Sequence, residues 1–187
     1  MNPRTANSRY RCLPGGFGLI EQMVTLVVLA IVLATAVPSF RHLLDRHELR
    51  QAQTEYIAAL QHARNLAINE QTRIVFCPSR DALTCNDDNR WNEGWLIGRE
   101  RKAEGQPAGA PLYAGGRHSN RINIIATSNL KSLQFKWDGT IGNTNQTLVI
   151  CLQGDYSQAL AVIIARRGRV RGATPTPDQA AQCALTE

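Results

Sequence analysis

Residues 15–37 read GGFGLIEQMVTLVVLAIVLATAV, a glycine pair followed by a long apolar stretch. The window from Met23 to Val37 contains no charged residue. With its flanking residues the apolar stretch reaches the length of about 20 residues that a helix needs to cross a bilayer. Glu21, near its start, is the charge that interrupts it. An isolated carboxylate in a membrane helix is costly, so by default it marks a functional contact with a partner.

A short basic segment precedes the apolar stretch. Residues 1–16 carry three arginines and no acidic residue, and they end in Pro14-Gly15-Gly16. In an ordinary secretory signal the small residues follow the apolar run, whereas here they come before it. Cleavage after Gly16 would therefore leave the hydrophobic helix on the mature chain. We predict a leader at 1–16 and a transmembrane and assembly helix at 17–40.

An amphipathic pattern follows at 41–70. Six apolar residues recur at three- and four-residue steps and form one helical face: Leu49, Ala52, Tyr56, Leu60, Ala63 and Ala67. Together with the apolar stretch, this pattern predicts one helix from about Phe17 to about Asn69. Pro38 lacks an N–H group, so we expect the helix to kink or loosen there. The second half of the helix presents a stripe on which a sheet can pack.

The remainder of the chain, 71–187, has a sequence pattern typical of a β-rich head. Short apolar, β-branched runs alternate with Gly, Asn, Asp and Pro. Strands are predicted at Arg73–Cys77, Gly94–Gly98, Ile122–Ala126, Leu133–Trp137, Thr147–Leu152 and Leu160–Arg166. No helical spacing separates them, so the sheet should be antiparallel and the fold class α+β. The tail after Gly172 is expected to be extended or mobile as far as Cys183.

The cysteines are consistent with an oxidising compartment. Cys12 precedes the apolar stretch, and an even set of four follows it: Cys77, Cys85, Cys151 and Cys183. Four cysteines allow three pairings, and we favour Cys77–Cys85 and Cys151–Cys183 because each is local in sequence. In the chain-entropy model these bonds stabilise by about 2.5 and about 3.5 kcal/mol. No C-x-x-C occurs and no histidine adjoins a cysteine, so no metal site is predicted.

The run from Gly15 to Glu21 resembles the type III signal of type IV prepilins and type II secretion pseudopilins. In that signal a glycine precedes Phe-Thr-Leu-Ile-Glu and a hydrophobic helix. This chain departs at Gly18 and Gln22, where threonine and leucine are common. The resemblance implies a type IV pilin-like fold, in which the long N-terminal helix packs on an antiparallel head.

The same resemblance implies how the chain is processed and where it resides. A prepilin peptidase would cut between Gly16 and Phe17, and Phe17 would be N-methylated. Glu21 would meet the free N-terminal amine of a neighbouring pilin, since an unpaired carboxylate in lipid requires a cation. The protein would sit in the bacterial inner membrane with its head in the periplasm, and would join a pilus or pseudopilus after cleavage.

The head is similar to the GspH/FimT family of minor pilins and pseudopilins. The similarity consists of Trp137-Asp138-Gly139 before a strand, a cysteine near the C-terminus, and the β-rich pattern between. Gly168-Arg169-Val170-Arg171 also resembles the Gly-Arg-x-Arg signature of the minor pilins in this family that bind DNA for natural transformation. The resemblance implies a DNA-binding minor pilin without a cofactor. The alternative is a structural minor pilin or a type II secretion pseudopilin that primes filament assembly without binding DNA.

The proposed DNA contacts are Arg166, Arg167, Gly168, Arg169 and Arg171. Guanidinium groups match phosphate oxygens and stay charged at any working pH. Their position between an apolar strand and a valine predicts a tight hairpin with a basic tip. Here the glycine would let backbone N–H groups approach a phosphate, and the last two arginines would share one strand face.

Four neutralised phosphates would give a slope of about −3.6 for log affinity against log salt. Such contacts carry no sequence preference. Arg117 and Arg121 could extend the basic surface. The alternative interpretation of the arginines is a solvated edge that discourages strand pairing.

Other chemistry has little support in the sequence. No aromatic residue is interleaved with the hairpin arginines, so base stacking on single strands is not predicted. Trp91, Trp95 and Trp137 are expected in the core or at a sheet edge. The sequence contains no nucleophile-elbow serine, no paired carboxylates on one short element and no phosphate-binding glycine motif, so we predict that the protein is not an enzyme.

The sequence predicts the N-terminus of the mature protein. Mass spectrometry of the native product should find Phe17 at the N-terminus and the apolar helix retained, because the small-residue pair precedes the helix. The resemblance to prepilins implies in addition that Phe17 is methylated. An N-terminus downstream of Val37 would show instead that the helix is discarded as a signal.

Overall fold

The computed structural model describes residues 18–100, 105–128, 130–142 and 144–186, without the side chains of residues 38 and 39. The predicted leader, the Gly16–Phe17 bond and the methylated amine lie outside the described residues. The chain divides into two compact units, one ending at His42 and the other comprising Leu43–Glu187.

Helix α1 spans Leu19–Asn69, which confirms the single long helix predicted from the sequence. In the part before His42 the apolar side chains, such as Leu26 and Ile31, are exposed. Among the described residues α1 is the helix long and apolar enough to cross a membrane. The helix continues through residues 38 and 39, and the kink expected there stays a prediction.

The second half of α1 buries the face that the sequence predicted. Seven residues of this face have at most 6% of their surface exposed: Leu49, Ala52, Tyr56, Ala59, Leu60, Ala63 and Ala67. The Tyr56 hydroxyl donates a hydrogen bond to the Trp91 carbonyl oxygen. The Trp91 ring, in a single turn of 3-10 helix at Trp91–Glu93, stacks on Phe76 with 5.5 Å between ring centroids.

Two antiparallel sheets complete the head. In chain order the strands are β1 (Ile74–Pro78), β2 (Trp95–Arg99), β3 (Tyr113–Gly115), β4 (Ile122–Ala126), β5 (Leu133–Phe135), β6 (Gln146–Leu152), β7 (Asp155–Ile164) and β8 (Val170–Ala173). The first sheet has the order β3-β2-β1-β5 and the second the order β4-β6-β7-β8. Every neighbouring pair is antiparallel, as predicted.

The predicted strands are all present: β4 has the predicted bounds, and the other five are shifted at one or both ends. The largest shift is in β7, which begins at Asp155 rather than Leu160. Strand β5 ends at Phe135, so Trp137 lies in the following turn. Strand β3 was missed because Tyr-Ala-Gly is too short to show an alternating pattern.

The second sheet is covered on both faces. Alternate residues such as Ile124, Ile150 and Val162 belong to the main core with α1. The intervening residues of the opposite face, Val149 and Cys151 among them, pack with a second helix, α2. This alternation follows from the two-residue side-chain period of a strand.

Helix α2 spans Pro177–Leu185, so the expectation of an extended or mobile tail after Gly172 is wrong. A capping box starts the helix: Thr176 Oγ1 accepts from the Gln179 N–H at 3.3 Å, and Gln179 Oε1 accepts from the Thr176 N–H at 3.0 Å. Pro177 occupies the first turn, where its missing N–H does not matter. The Thr-x-x-Gln spacing in the sequence was the signal that could have revealed this helix.

The structure contains the two disulfides favoured from the sequence. The Cα atoms of Cys77 and Cys85 lie 5.5 Å apart, and those of Cys151 and Cys183 lie 6.1 Å apart. The second bond ties α2 to β6. Asn123 supports the same attachment, since its Nδ2 donates to the Cys183 carbonyl oxygen at 3.2 Å.

Removing each disulfide should have a different local effect. We expect Cys151→Ala/Cys183→Ala to lower the free energy of unfolding by about 3.5 kcal/mol and Cys77→Ala/Cys85→Ala by about 2.5 kcal/mol, because the first bond closes the longer loop. Urea unfolding of the full chain in detergent measures both. Hydrogen exchange should show lost protection of α2 amides only in the first variant, and unchanged α2 protection there would contradict the proposed attachment.

Candidate nucleic-acid interface

A hairpin between β7 and β8 carries the predicted arginine cluster. Ile164 pairs with Val170 at its base. Within residues 165–169 the Ala165 N–H donates to the Arg169 carbonyl oxygen at 2.9 Å, and the Gly168 N–H donates to the Ala165 carbonyl oxygen at 2.7 Å. Three of the arginines lie in this connection, and Arg171 lies on β8, an edge strand of the second sheet.

The four arginine side chains of the hairpin are exposed. Among the described residues none of them has an acidic side chain within ion-pair distance. Other arginines of the head are paired: Arg80 with Asp88 and Glu93, and Arg99 with Glu70. Since like charges within one hairpin repel, an arrangement of unpaired cations is suited to an external anion.

Gly168 has a structural role rather than the one predicted for it. Its φ of +78° is a conformation that favours glycine. The residue is buried, and its N–H is already bonded within the hairpin. A Cβ there would overlap the Gly139 carbonyl oxygen and lie 2.7 Å from Arg64 Nε. The expectation that Gly168 lets a phosphate approach the backbone is therefore wrong, because the Gly139 carbonyl oxygen occupies the space beside its Cα.

The turn Lys136–Gly139 supports the hairpin from the side. The Gly139 N–H donates to the Lys136 carbonyl oxygen at 2.8 Å, and the Ile141 N–H donates to the Arg166 carbonyl oxygen at 3.1 Å. Trp137, at the second position of this turn, is 58% exposed. Of its two expected places, the core is therefore wrong, and Trp137 lies just after β5, an edge strand of the first sheet. Trp91 and Trp95 are buried as predicted.

Helix α1 contributes a further arginine that the sequence reading missed. Arg64 Nε donates to the Gly139 carbonyl oxygen at 3.2 Å. Arg64 also lines a groove of about 260 Å³ together with Arg169 and Val170 of the hairpin and Gln61 and Asn65 of the helix. The helical period placed Arg64 on the polar face, but only the packing of the helix shows what that face adjoins.

Arg117 and Arg121 do not extend this basic surface. Arg121 precedes β4, which is the opposite edge of the second sheet from β8. Its guanidinium pairs with Asp45 and lies 3.9 Å from Glu48, and the hydrogen bond to Asp45 raises the pKa of Arg121. Arg117 lines a cavity of about 290 Å³ that also contains Glu48 and Glu55. The expected extension is therefore wrong.

Comparison with protein families identifies the family to which this chain belongs. The family model described as "Type II transport protein GspH" matches residues 52–168, which is more than half of the chain. The chain belongs to the GspH family. The match begins at Ala52 within the second half of α1, includes most of the head and ends at Gly168. Arg169 and Arg171 of this GspH-family chain therefore follow the matched residues.

Solved structures agree with this assignment. The type IV minor pilin FimU of Pseudomonas aeruginosa matches with 29% identity and a TM-score of 0.57, over 68% of this chain and 89% of that one. The same protein in another crystal form gives 25% identity and a TM-score of 0.54, over 67% of this chain and 92% of that one. The minor pseudopilin EpsH of Vibrio cholerae shares the fold at 13% identity and a TM-score of 0.50, over 69% and 98%. No curated protein sequence matches.

The packing of the GspH-family hairpin predicts an unequal pair of glycine variants. Gly168 and Gly154 have nearly equal φ values of +78° and +77°, but only Gly154 has open space where a Cβ would go. Gly154→Ala should therefore show only the left-handed backbone penalty of about 1–2 kcal/mol. Gly168→Ala should lose more stability, because its Cβ displaces the Gly139 turn. Urea unfolding of the full chain in detergent measures both, and equal losses would contradict the described packing.

Proposed function

We propose that this chain is a minor pilin of a type IV pilus whose head binds DNA. The likeness to the minor pilin FimU supports a filament role. The exposed apolar side chains of α1 before His42 support a membrane anchor, because such a surface is stable in lipid or against other apolar helices. On this proposal the head, 71–187, occupies the bacterial periplasm, 41–70 supports it, and 17–40 crosses the inner membrane.

Assembly would depend on the start of α1. Prepilin peptidase would remove residues 1–16, and the new amine at Phe17 would be methylated. Glu21 lies in the first turn of α1 and is exposed among apolar side chains. A carboxylate in that position is stabilised by a cation, and the N-terminal amine of a neighbouring pilin supplies one. The proposed partners are therefore other pilins, joined through their N-terminal helices.

The unpaired state of the hairpin arginines is the observation that carries the DNA proposal. Arg166, Arg167, Arg169 and Arg171 are exposed on one hairpin without an acidic partner among the described residues. Each guanidinium can bind phosphate oxygens with two parallel hydrogen bonds. Binding releases counterions from the DNA, which favours association regardless of base sequence. A filament subunit with this surface would hold arbitrary DNA during uptake in natural transformation.

The second candidate is a structural pilin or type II secretion pseudopilin that does not bind DNA. The description of the matching family as a type II transport protein favours it. So does the location of Arg171 on edge strand β8, since charged side chains on an edge prevent pairing with another chain. Neither candidate involves a catalytic step.

A salt titration separates the two candidates. We expect Arg169→Ala/Arg171→Ala to weaken binding of duplex DNA by the full chain in detergent. The slope of log affinity against log salt should change from about −3.6 to about −1.8, because each lost phosphate contact removes about 0.9 from its magnitude. Mobility shifts over a range of salt concentrations measure this slope.

The control variant is Arg80→Ala/Arg121→Ala. It removes the same formal charge, but from arginines that are paired with Asp88, Glu93 and Asp45. Its salt slope should match that of the wild type. Equally weak binding by the wild type and by Arg169→Ala/Arg171→Ala would decide for the structural subunit.

A further inference from the structure

An exposed tryptophan lies beside the hairpin arginines. Trp137 is 58% exposed, whereas Trp91 and Trp95 are 0% and 9% exposed. A single exposed apolar residue needs no explanation by itself. The position of Trp137 relative to the unpaired cations is what makes it informative.

Backbone contacts hold Trp137 next to the hairpin. It is two residues from Gly139, whose carbonyl oxygen occupies the space where a Cβ on Gly168 would go. The same carbonyl oxygen accepts from Arg64 Nε at 3.2 Å, and Ile141 binds the Arg166 carbonyl oxygen. Gly139 lies against the hairpin, and the ends of a four-residue turn lie within about 7 Å of each other. The backbone of Trp137 therefore lies near the hairpin.

The charges around Trp137 favour contact of the ring with a base rather than with a phosphate. Asp138 Oδ1 accepts hydrogen bonds from the Thr140 N–H at 3.0 Å and from Thr140 Oγ1 at 2.7 Å. These bonds lower the pKa of Asp138. An aspartate is ionised at neutral pH even without such bonds, so the carboxylate repels phosphate. Lys136, which precedes the tryptophan in the chain, is also exposed, and its positive charge offsets the negative charge of Asp138. The phosphates would therefore follow the hairpin arginines, and the turn would offer an aromatic face.

We propose that Trp137 stacks on an unpaired base of single-stranded DNA whose phosphates bind the hairpin arginines. The inference rests on the proposed function and deepens it by naming the form of DNA. A basic track combined with an aromatic platform is the usual arrangement for binding single strands, since every base has a face on which a ring can stack. In duplex DNA the neighbouring base pairs occupy those faces. The sequence did not predict stacking because no aromatic residue is interleaved with the hairpin arginines, and Trp137 is brought near them only by the fold.

The test compares three DNA probes on the full chain in detergent. The probes are an oligothymidylate of about 15 nucleotides, which fits the known range of single-strand site sizes, an abasic strand of equal length, and a relaxed circular duplex. Trp137→Ala should weaken binding of oligothymidylate by roughly 5- to 150-fold, the range for loss of one base–aromatic stack. It should leave binding of the abasic strand and the duplex unchanged. Trp137→Phe should retain most of the affinity.

Tyr156→Ala is the matched control, because Tyr156 is 62% exposed and lies at the other end of β7 from the hairpin. Its affinity for all three probes should equal that of the wild type. Oligothymidylate should also quench tryptophan emission in the wild type and not in Trp137→Phe, since the other two tryptophans are buried.

The outcomes separate the stacking inference from the proposed function. If Arg169→Ala/Arg171→Ala weakens binding while Trp137→Ala binds oligothymidylate as the wild type does, the stacking inference is wrong and DNA binding stands. That result is also the one expected if Trp137 contacts a neighbouring pilin. If the wild type binds none of the probes, both proposals are wrong.

Discussion

The packing of one helical face against two sheets is the interaction on which the head depends. The second half of α1 buries its apolar side chains in the main core, with Tyr56 at the centre. The buried tyrosine hydroxyl donates to the Trp91 carbonyl oxygen, and burial raises the pKa of Tyr56. Its ring meets Phe76 edge to face at 6.1 Å. An unpaired hydroxyl at this depth would be strongly destabilising. The tyrosine ring therefore fills space in the core, and its hydrogen bond fixes the position of the helix.

The polar residues beside that face position the candidate site. Gln53 Nε2 donates to the Ala161 carbonyl oxygen at 2.7 Å, which ties α1 to the strand that leads into the hairpin. Arg64 binds the Gly139 turn that lies against Gly168. The helix that packs on the core thus also binds the two segments that contact the arginine hairpin, which are strand β7 and the turn at Gly139. These contacts hold the hairpin in place, which lowers the entropy lost when it orders against a ligand.

The two edges of the second sheet differ in how their arginines are paired with acidic residues. Helix α2 and its disulfide cover the face turned away from α1. At one edge Arg121 is paired with acidic residues of α1, so its charge is locally compensated. At the other edge β8 and the hairpin carry arginines without such compensation. The uncompensated positive charge of the second sheet therefore lies at the β8 edge because of where the acidic residues are placed.

Features that depend on short stretches of the chain were determined by the sequence alone. The helix face follows from its period, the local disulfides from cysteine spacing, and the basic hairpin from a strand, a glycine and a valine around Arg166–Arg169. Even α2, which was missed, had its capping signal at Thr176–Gln179. Four features became visible only in the folded chain: Gly168 is buried, Arg64 lines the groove beside Arg169, Arg121 is paired with Asp45, and Trp137 is exposed near the hairpin. Each of these depends on contacts between segments that are distant along the chain, and such contacts are set by how the helix and the two sheets share one core.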